Sequence, residues 1–317
     1  MRCLTLAEEL VARGHIVTLW AHLDGVTWLS ERVKRSLIAF ETAPANSLDL
    51  DLIGDGQFDW VVVDSYEISS AQISALKQNC QVLAIVDSDH RNIEATLYLD
   101  QNLGTQIAFP AGTDARQLLL GSDFALVRND FLRYRSVVPS TVIEGTGHVV
   151  VFFGGSDPDG AVVAASKAIL AENRDVRLTV ICAERWIAAV EQVCLGANAV
   201  VLGLTPDLPH IVSTADVVVS AAGTSAWDVC TLGRAAVLVA VVDNQKPALV
   251  PIQRNGVALA LDATGGQPRS FDELGSLVAR LIRDDEERRS LVERCATIFD
   301  GKGKSRVVDR MESSLSL

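Results

Sequence analysis

The sequence lacks any run of about 18 apolar residues, the length that a helix needs to cross a bilayer. We therefore expect no membrane-spanning helix, although 49% of the 317 residues are hydrophobic, enough to bury two cores. The N-terminus also lacks a basic region followed by an apolar segment and a cleavage site. This pattern predicts no signal peptide and hence a cytoplasmic protein.

Basic residues are few relative to acidic ones. The chain has 28 Lys and Arg against 40 Asp and Glu, a formal net charge of −12 at pH 7. A protein whose main ligand is nucleic acid needs a surplus of positive charge to meet the phosphates. The composition therefore opposes a nucleic-acid partner.

The six cysteines form neither a Cys-x-x-Cys pair nor a cluster with zinc-like spacing. Cysteines scattered over apolar segments, in a chain with no predicted signal peptide, indicate reduced core thiols. We therefore expect no metal site and no cofactor.

Short segments rich in Val and Ile alternate with helical patterns along nearly the whole chain. The strands are continuous apolar runs, which is typical of parallel strands covered on both faces. Two such series predict an α/β protein with two Rossmann-like domains, residues 1–143 and 144–317, joined by a linker near 139–147. The predicted strands are 16–21, 37–41, 60–64, 82–87, 98–101 and 124–127, then 149–153, 177–181, 199–202, 217–220, 236–242 and 257–261. A capping box at residues 270–273 (Ser-Phe-Asp-Glu) predicts the start of a late helix.

The first series differs from an ordinary doubly wound domain at its beginning. The chain opens directly on a helix with apolar residues at Leu4, Leu6 and Leu10, and Gly14 is its predicted C-terminal stop. A strand normally precedes that helix and lies at the centre of the sheet. We therefore expect that the first strand of domain one is missing from this chain.

The turn Ala222-Gly223-Thr224-Ser225 follows an apolar strand and opens a helix. A small turn of this kind leaves backbone N–H groups pointing outward at the positive end of the helix dipole, which suits a phosphate. Asp228, one turn into the helix, could accept hydrogen bonds from a sugar hydroxyl. The alternative is an ordinary strand–helix turn capped by Thr224 or Ser225.

Other polar residues follow predicted strands and are further candidates for the site. In the second series, Gly154, Gly155, Ser156 and Asp157 are assigned to nucleotide binding, with a plain turn as the alternative. The amides of Asn244 and Gln245 suit sugar hydroxyls, unless Asn244 only caps a helix. In the first series, the candidates for the sugar side are Asp64, Ser65, Tyr66 and Asp87, for which turn and cap chemistry is an equal alternative.

In this order, several motifs resemble those of a known family. They are Arg2-Cys3-Leu4-Thr5-Leu6-Ala7, Asp64-Ser65-Tyr66, Asp100-Gln101-Asn102, 120–128 (LGSDFALVR), 153–158 (FGGSDP), 221–228 (AAGTSAWD), Asn244-Gln245 and Asp300-Gly301-Lys302-Gly303. The family contains the UDP-2,4-diacetamido-2,4,6-trideoxy-β-L-altropyranose hydrolase of pseudaminic acid biosynthesis and spore-coat polysaccharide proteins. The resemblance covers nearly the whole chain.

The resemblance implies a GT-B architecture, in which two Rossmann-like domains face a cleft and the last helix packs back on domain one. It implies that the C-terminal domain holds UDP, that the sugar reaches toward the N-terminal domain, and that the reaction is hydrolysis of the UDP-sugar without a metal. In that family the residue at the position of Asp228 is usually Glu. Its general base is a His in a Gly-x-Gly-His loop just before the Met-Arg-Cys segment, and this chain begins at Met1.

Three functions therefore follow as expectations. The first is a nucleotide-sugar hydrolase that releases UDP from a diacetamido-trideoxy sugar. The second is a GT-B glycosyltransferase that passes the sugar from a UDP-sugar donor to an alcohol. The third is a catalytically dead nucleotide-sugar binding protein, because the base His that the resemblance implies is absent from this sequence.

Overall fold

A computed structural model describes residues 1–23, 27–43, 58–105, 109, 112–135, 146–155, 157, 159–265 and 270–315. The chain divides into two compact units. The first unit combines Met1–Leu126 with Gly301–Leu317, and the second is Val127–Asp300. The domain boundary expected at 143/144 falls outside the described residues and stays a prediction.

Helices and parallel strands alternate through both units. The helices are α1 (Arg2–Ala12), α2 (Thr27–Arg35), α3 (Ser70–Leu76), α4 (Asn129–Leu132), α5 (Ala161–Glu172), α6 (Glu184–Val193), α7 (Leu208–Ser213), α8 (Thr224–Leu232), α9 (Lys246–Asn255), α10 (Leu274–Arg283), α11 (Asp285–Ile298) and α12 (Gly303–Leu315). The strands are β1 (Thr18–Ala21), β2 (Ala39–Thr42), β3 (Trp60–Val63), β4 (Gln81–Ile85), β5 (Leu97–Asp100), β6 (Leu118–Leu120), β7 (His148–Phe152), β8 (Arg177–Ile181), β9 (Ala199–Leu202), β10 (Val217–Ala221), β11 (Ala235–Ala240) and β12 (Leu259–Asp262). Among the described residues, no helix combines the length and the apolar character needed to span a membrane.

The second unit contains one six-stranded parallel sheet in the order β12-β11-β10-β7-β8-β9. Its central strands are buried on both faces, and Val217, Val218 and Val219 of β10 are fully inaccessible. Burial on both faces explains why these strands are unbroken apolar runs in the sequence. The arrangement confirms the α/β fold class and the doubly wound sheet predicted for the second series.

The first unit contains two parallel sheets. Strands β3-β4-β5-β6 form a four-stranded sheet in chain order, and β1 pairs with β2 in a separate two-stranded sheet. Within the described residues, no strand pairs with both β1 and β3. Helix α1 packs on both sheets, because its Leu6 belongs to the core of the larger sheet while Leu4 and Ala7 pack with residues of the smaller one.

The strand predicted at 124–127 is wrong. The sixth strand is Leu118–Leu120, and Ser122–Phe124 forms a short 3₁₀ turn. Ala125 and Leu126 are buried because α12 packs over them, with the Cα of Gly303 held close to the backbone of Ala125. Residues 124–127 are therefore apolar because Ala125 and Leu126 are buried under α12, and not because they form a strand of the sheet.

The capping box predicted at 270–273 is also wrong. Helix α10 begins at Leu274, and its N-cap, Glu273, makes no side-chain capping bond. Phe271 is buried in the core of the unit, and its carbonyl accepts the N–H of Leu274. Burial of Phe271 therefore fixes the turn before α10. The Ser270 hydroxyl donates to Asp272 and does not cap the helix.

Candidate functional site

The sheet of the second unit has a topological switch point between β7 and β10. From β7 the chain proceeds to β8 on one side, and from β10 it proceeds to β11 on the other side. In doubly wound sheets, ligands bind outside the carboxyl ends of the strands at such a point. The loops that follow these two strands contain Gly154, Gly155, Ala222 and Gly223. The predicted glycine turns therefore lie at the switch point.

The N-terminus of α8 is open at this point. Gly223 is the N-cap, in an extended conformation, and no side chain caps the helix. The first turn contains no acidic residue, and Thr224 is exposed. Uncapped N–H groups and the positive end of the dipole make this helix start favourable for an anion.

The helix that follows β7 has a different N-terminus, because Asp157 occupies it. The buried carboxylate of Asp157 accepts the N–H groups of Ala161 at 2.8 Å and Val162 at 3.1 Å. The structure thus gives Asp157 a capping contact with α5, and its expected contact with a nucleotide stays a prediction. Ser156 lies outside the described residues.

The other two glycines of this loop differ in what they require. Gly154 has φ +79°, a left-handed conformation that L side chains rarely adopt. A Cβ on Gly155 would meet only Leu204, at an ordinary 3.6 Å. The backbone of the β7 loop therefore requires glycine at 154, while 155 tolerates a small side chain.

We expect Asp157→Ala to lower the free energy of unfolding by about 1 kcal/mol, because two N–H groups of α5 lose their acceptor. UDP affinity should stay within about twofold if Asp157 only caps the helix, and Asp157→Ser should restore part of the stability. Urea denaturation and calorimetric titration with UDP measure the two effects. Unchanged stability together with a large loss of affinity would show instead that Asp157 contacts the nucleotide.

Gln245 connects the end of β11 to the glycine turn of α8. Its Oε1 accepts the N–H of Val241 at 2.9 Å, and its Nε2 lies 3.3 Å from the position that a Cβ on Gly223 would take. The structure therefore brings a residue predicted for sugar binding beside one predicted for phosphate binding. Asn244 is exposed in the short 3₁₀ turn Asp243–Gln245.

Asp228 lies in a buried ion pair. Its carboxylate accepts the backbone N–H of Arg128 at 3.1 Å and the Arg128 Nε at 2.9 Å, and the residue is only 5% exposed. Burial raises the pKa of Asp228, against the lowering effect of Arg128. Both carboxylate oxygens are thus engaged inside the unit, and the expected ribose contact stays a prediction.

A second polar cluster lies at the carboxyl ends of β3, β4 and β5 in the first unit. It consists of Arg2, Asp64, Tyr66, Asp87 and Asn102, and is called the Arg2 cluster below. The Arg2 guanidinium donates to Asp64 (3.1 and 2.6 Å) and to Asp87 (2.5 and 2.9 Å). Asp87 also accepts the Tyr66 hydroxyl at 2.6 Å and the Asn102 amide at 3.3 Å.

The electrostatics of the Arg2 cluster favour the ionised form of Asp87. Burial alone would raise the pKa of Asp87, but Arg2, followed by the hydrogen bonds from Tyr66 and Asn102, holds it below its usual value. Burial and the bond to Asp87 raise the pKa of Tyr66 to about 12. The cluster therefore offers carboxylate acceptors and a neutral phenol at neutral pH.

The loop after β4 continues the Arg2 cluster. Arg91 donates to the Ser65 carbonyl, and its guanidinium lies 5.1 Å from the centre of the Tyr66 ring. Ser88, Arg91 and Asn92 have positive φ angles, a combination that non-glycine residues adopt mainly where function or tight packing requires it. Ser65 itself forms the turn, its hydroxyl accepting the N–H of Glu67 at 3.1 Å.

The structure places Asp64, Ser65, Tyr66 and Asp87 close together, and their role in sugar binding stays a prediction. Sequence reasoning missed two donors to the carboxylates, the Arg2 guanidinium and the neutral Asn102 amide. Both residues fall within motifs of the resemblance, yet neither was assigned a role. Among the described residues, no group of three or more His, Cys, Asp or Glu could hold a metal ion.

Comparison with solved structures identifies the fold. The spinosyn forosaminyltransferase SpnP aligns over 100% of this chain and 96% of its own, with 16% identity and a TM-score of 0.66. MurG of Acinetobacter baumannii aligns over 98% and 95%, with 16% identity and a TM-score of 0.62. The glycosyltransferase SsfS6 of Streptomyces sp. SF2575, complexed with thymidine diphosphate, aligns over 98% and 96%, with 15% identity and a TM-score of 0.60. The chain has the GT-B fold.

The likeness is one of structure, not of sequence. No protein-family model matches the chain, and no curated protein matches it. At these identities the comparison establishes the GT-B fold alone, so any activity must be argued from the sites.

Proposed function

We propose that the chain is a GT-B glycosyltransferase that uses a UDP-sugar donor. The observation that carries the proposal is the uncapped N-terminus of α8 at the switch point of the second unit. At the other glycine turn of the same sheet, the start of α5 already holds an anion, the carboxylate of Asp157. The diphosphate is therefore assigned to the N–H groups that follow Gly223.

The residues of the proposed donor site act by position and charge. The backbone of Thr224 and Ser225, with the dipole of α8, would stabilise the negative charge that develops on UDP as it leaves. The amide of Gln245, beside Gly223, would add a donor near the same oxygens. SsfS6, which shares this fold, is complexed with a nucleoside diphosphate, which supports a ligand of this class.

The Arg2 cluster is assigned to the sugar or the acceptor. Its carboxylates and the Tyr66 hydroxyl are hydrogen-bonding groups that suit hydroxyl-rich ligands. Tyr66 is 60% exposed, so its phenol oxygen can accept a hydrogen bond from a ligand while its O–H donates to Asp87. In this proposal the first unit selects the sugar and the second holds the nucleotide.

A hydrolase of the pseudaminic acid type is the second candidate, supported by the order of motifs along nearly the whole chain. Both reactions need the same UDP site and differ in whether water or an alcohol receives the sugar. Incubation with a panel of UDP-sugars, with and without alcohol acceptors, separates them. We expect UDP release that depends on an added acceptor. Release without one would favour the hydrolase, and UDP binding without release would favour a binding protein.

A further inference from the structure

Arg2 is the structural centre of the cluster in the first unit. Its Nη2 donates to both carboxylates, to Asp64 Oδ1 at 2.6 Å and to Asp87 Oδ2 at 2.9 Å. Two carboxylate oxygens that share one nitrogen lie within a few ångströms of each other. The guanidinium side chain is 11% exposed and each carboxylate side chain 22%, so water screens their mutual repulsion only in part.

Two carboxylates at this separation repel each other when both are ionised, unless a cation lies between them. In such a pair one group retains a proton to a higher pH, and the two titrate as a unit. Arg2 opposes this proton retention, because its guanidinium donates four hydrogen bonds to these two carboxylates. A lysine could supply the charge but not the planar fork that bonds both oxygens of each partner.

We propose that Arg2 is a positioning residue that keeps Asp64 and Asp87 both ionised and fixed as acceptors for substrate hydroxyl groups. The inference rests on the proposed function and specifies its substrate class. Arg2, Asp64 and Asp87 together carry a net charge of −1, so the cluster favours a neutral polyol or an amino sugar over an anionic one. The hydrogen bond from the Tyr66 hydroxyl to Asp87 fixes the orientation of this exposed phenol. Its oxygen is therefore a further acceptor for substrate hydroxyl groups.

Other titratable and charged groups face the pair from each neighbouring element. Cys3 on α1 lies 3.8 Å from Asp64 Oδ2, and burial raises the pKa of this thiol to about 12, so it stays neutral. The positive charge of the amino group at Met1 lowers the pKa of Cys3, but less than burial raises it.

Asp100, at the end of β5, accepts the N–H groups of Ser88 and Asn102. Arg91 stacks on Tyr66. Within the part of the chain that the structure describes, Arg2 is thus the cation that bonds directly to both Asp64 and Asp87.

The test replaces Arg2 by glutamine in the full chain and follows the aspartate carboxyl carbons by NMR during a pH titration. In the variant, one of Asp64 and Asp87 should titrate at least about one pH unit higher than in the wild type. Arg2→Lys should shift it less. The double variant Arg2→Gln/Asp64→Asn should return Asp87 toward an ordinary titration, because the repelling partner is gone. An unchanged titration in Arg2→Gln overturns the proposal.

A matched control is Arg32→Gln, which removes another arginine of the same unit. Arg32 donates to both oxygens of the Glu8 carboxylate, at 2.7 and 2.9 Å. Its loss should leave the titration of Asp64 and Asp87 unchanged. A shift as large as that in Arg2→Gln would show that any lost cation has this effect and would contradict the inference.

The second readout is the pH profile of turnover. Below the new titration point, kcat/KM of Arg2→Gln should fall about tenfold per pH unit, while the wild-type profile stays flat over the same range. UDP affinity should not change, since its site is assigned to the second unit. A wild-type chain that binds no UDP would refute the proposed function, yet the NMR titration would still decide the role of Arg2.

Discussion

Replacing Gly223 by valine is expected to weaken UDP binding at least about tenfold, a loss of about 1.4 kcal/mol. A Cβ at this position would lie 3.3 Å from Gln245 Nε2, tighter than most real contacts. The two methyl groups of valine extend further and would crowd both the Gln245 amide and the space in front of α8. Calorimetric titration with UDP measures the loss.

Two further variants show whether the effect arises at the α8 turn. Gly223→Ala adds only the Cβ, which the flexible Gln245 side chain can avoid by a small shift, so we expect a loss of only about twofold to threefold. Gly265→Val is the matched control, because a Cβ there would meet nothing within 4 Å. An unchanged affinity in Gly223→Val would place the diphosphate elsewhere.

Breaking the buried ion pair of the second unit is expected to cost about 3–5 kcal/mol of unfolding free energy. Arg128→Met leaves the Asp228 carboxylate buried without its cation, the costly half of such a pair. In the double variant Arg128→Met/Asp228→Asn neither charge of the pair remains, and most of the loss should be recovered. Urea denaturation of the three proteins measures these differences.

The loss in Arg128→Met should also depend on pH. Burial already raises the pKa of Asp228 in the folded protein, and without Arg128 it should rise further. The folded state then binds more protons than the unfolded state, so stability increases as pH falls through the raised pKa of Asp228 toward its ordinary value. A pH-independent loss would contradict this account. Arg35→Met is the control, because the exposed pair of Arg35 with Glu31 should contribute under about 0.5 kcal/mol.

The sequence predicts the sheet of the second unit well because each strand is apolar on both faces. The strands predicted at 177–181 and 199–202 are confirmed to the residue. The errors arise where the same apolar signal has another cause. Ala125 and Leu126 are buried under α12, and Phe271 lies in a turn before α10 rather than in a capping box.

The partners of the site residues could not be predicted from local patterns. Asp228 is recognisable as an acid one turn into α8, but its cation, Arg128, lies 100 positions earlier in the chain. Arg2 likewise bonds to residues 62 and 85 positions away. Helical periodicity and turn chemistry describe separations of a few residues, so they locate candidate side chains without showing which charges neutralise them.

Helix α12 belongs to the first unit but follows the second unit in the chain, so it is made last. Its Val307, Val308 and Met311 complete a core that also contains Leu6 and Leu83, and the intervening second unit is a continuous segment. During translation, the core built by Met1–Leu126 is therefore completed only after Val127–Asp300 has been made, when Gly301–Leu317 follows. The second unit can finish folding on the ribosome while the core of the first unit is still incomplete.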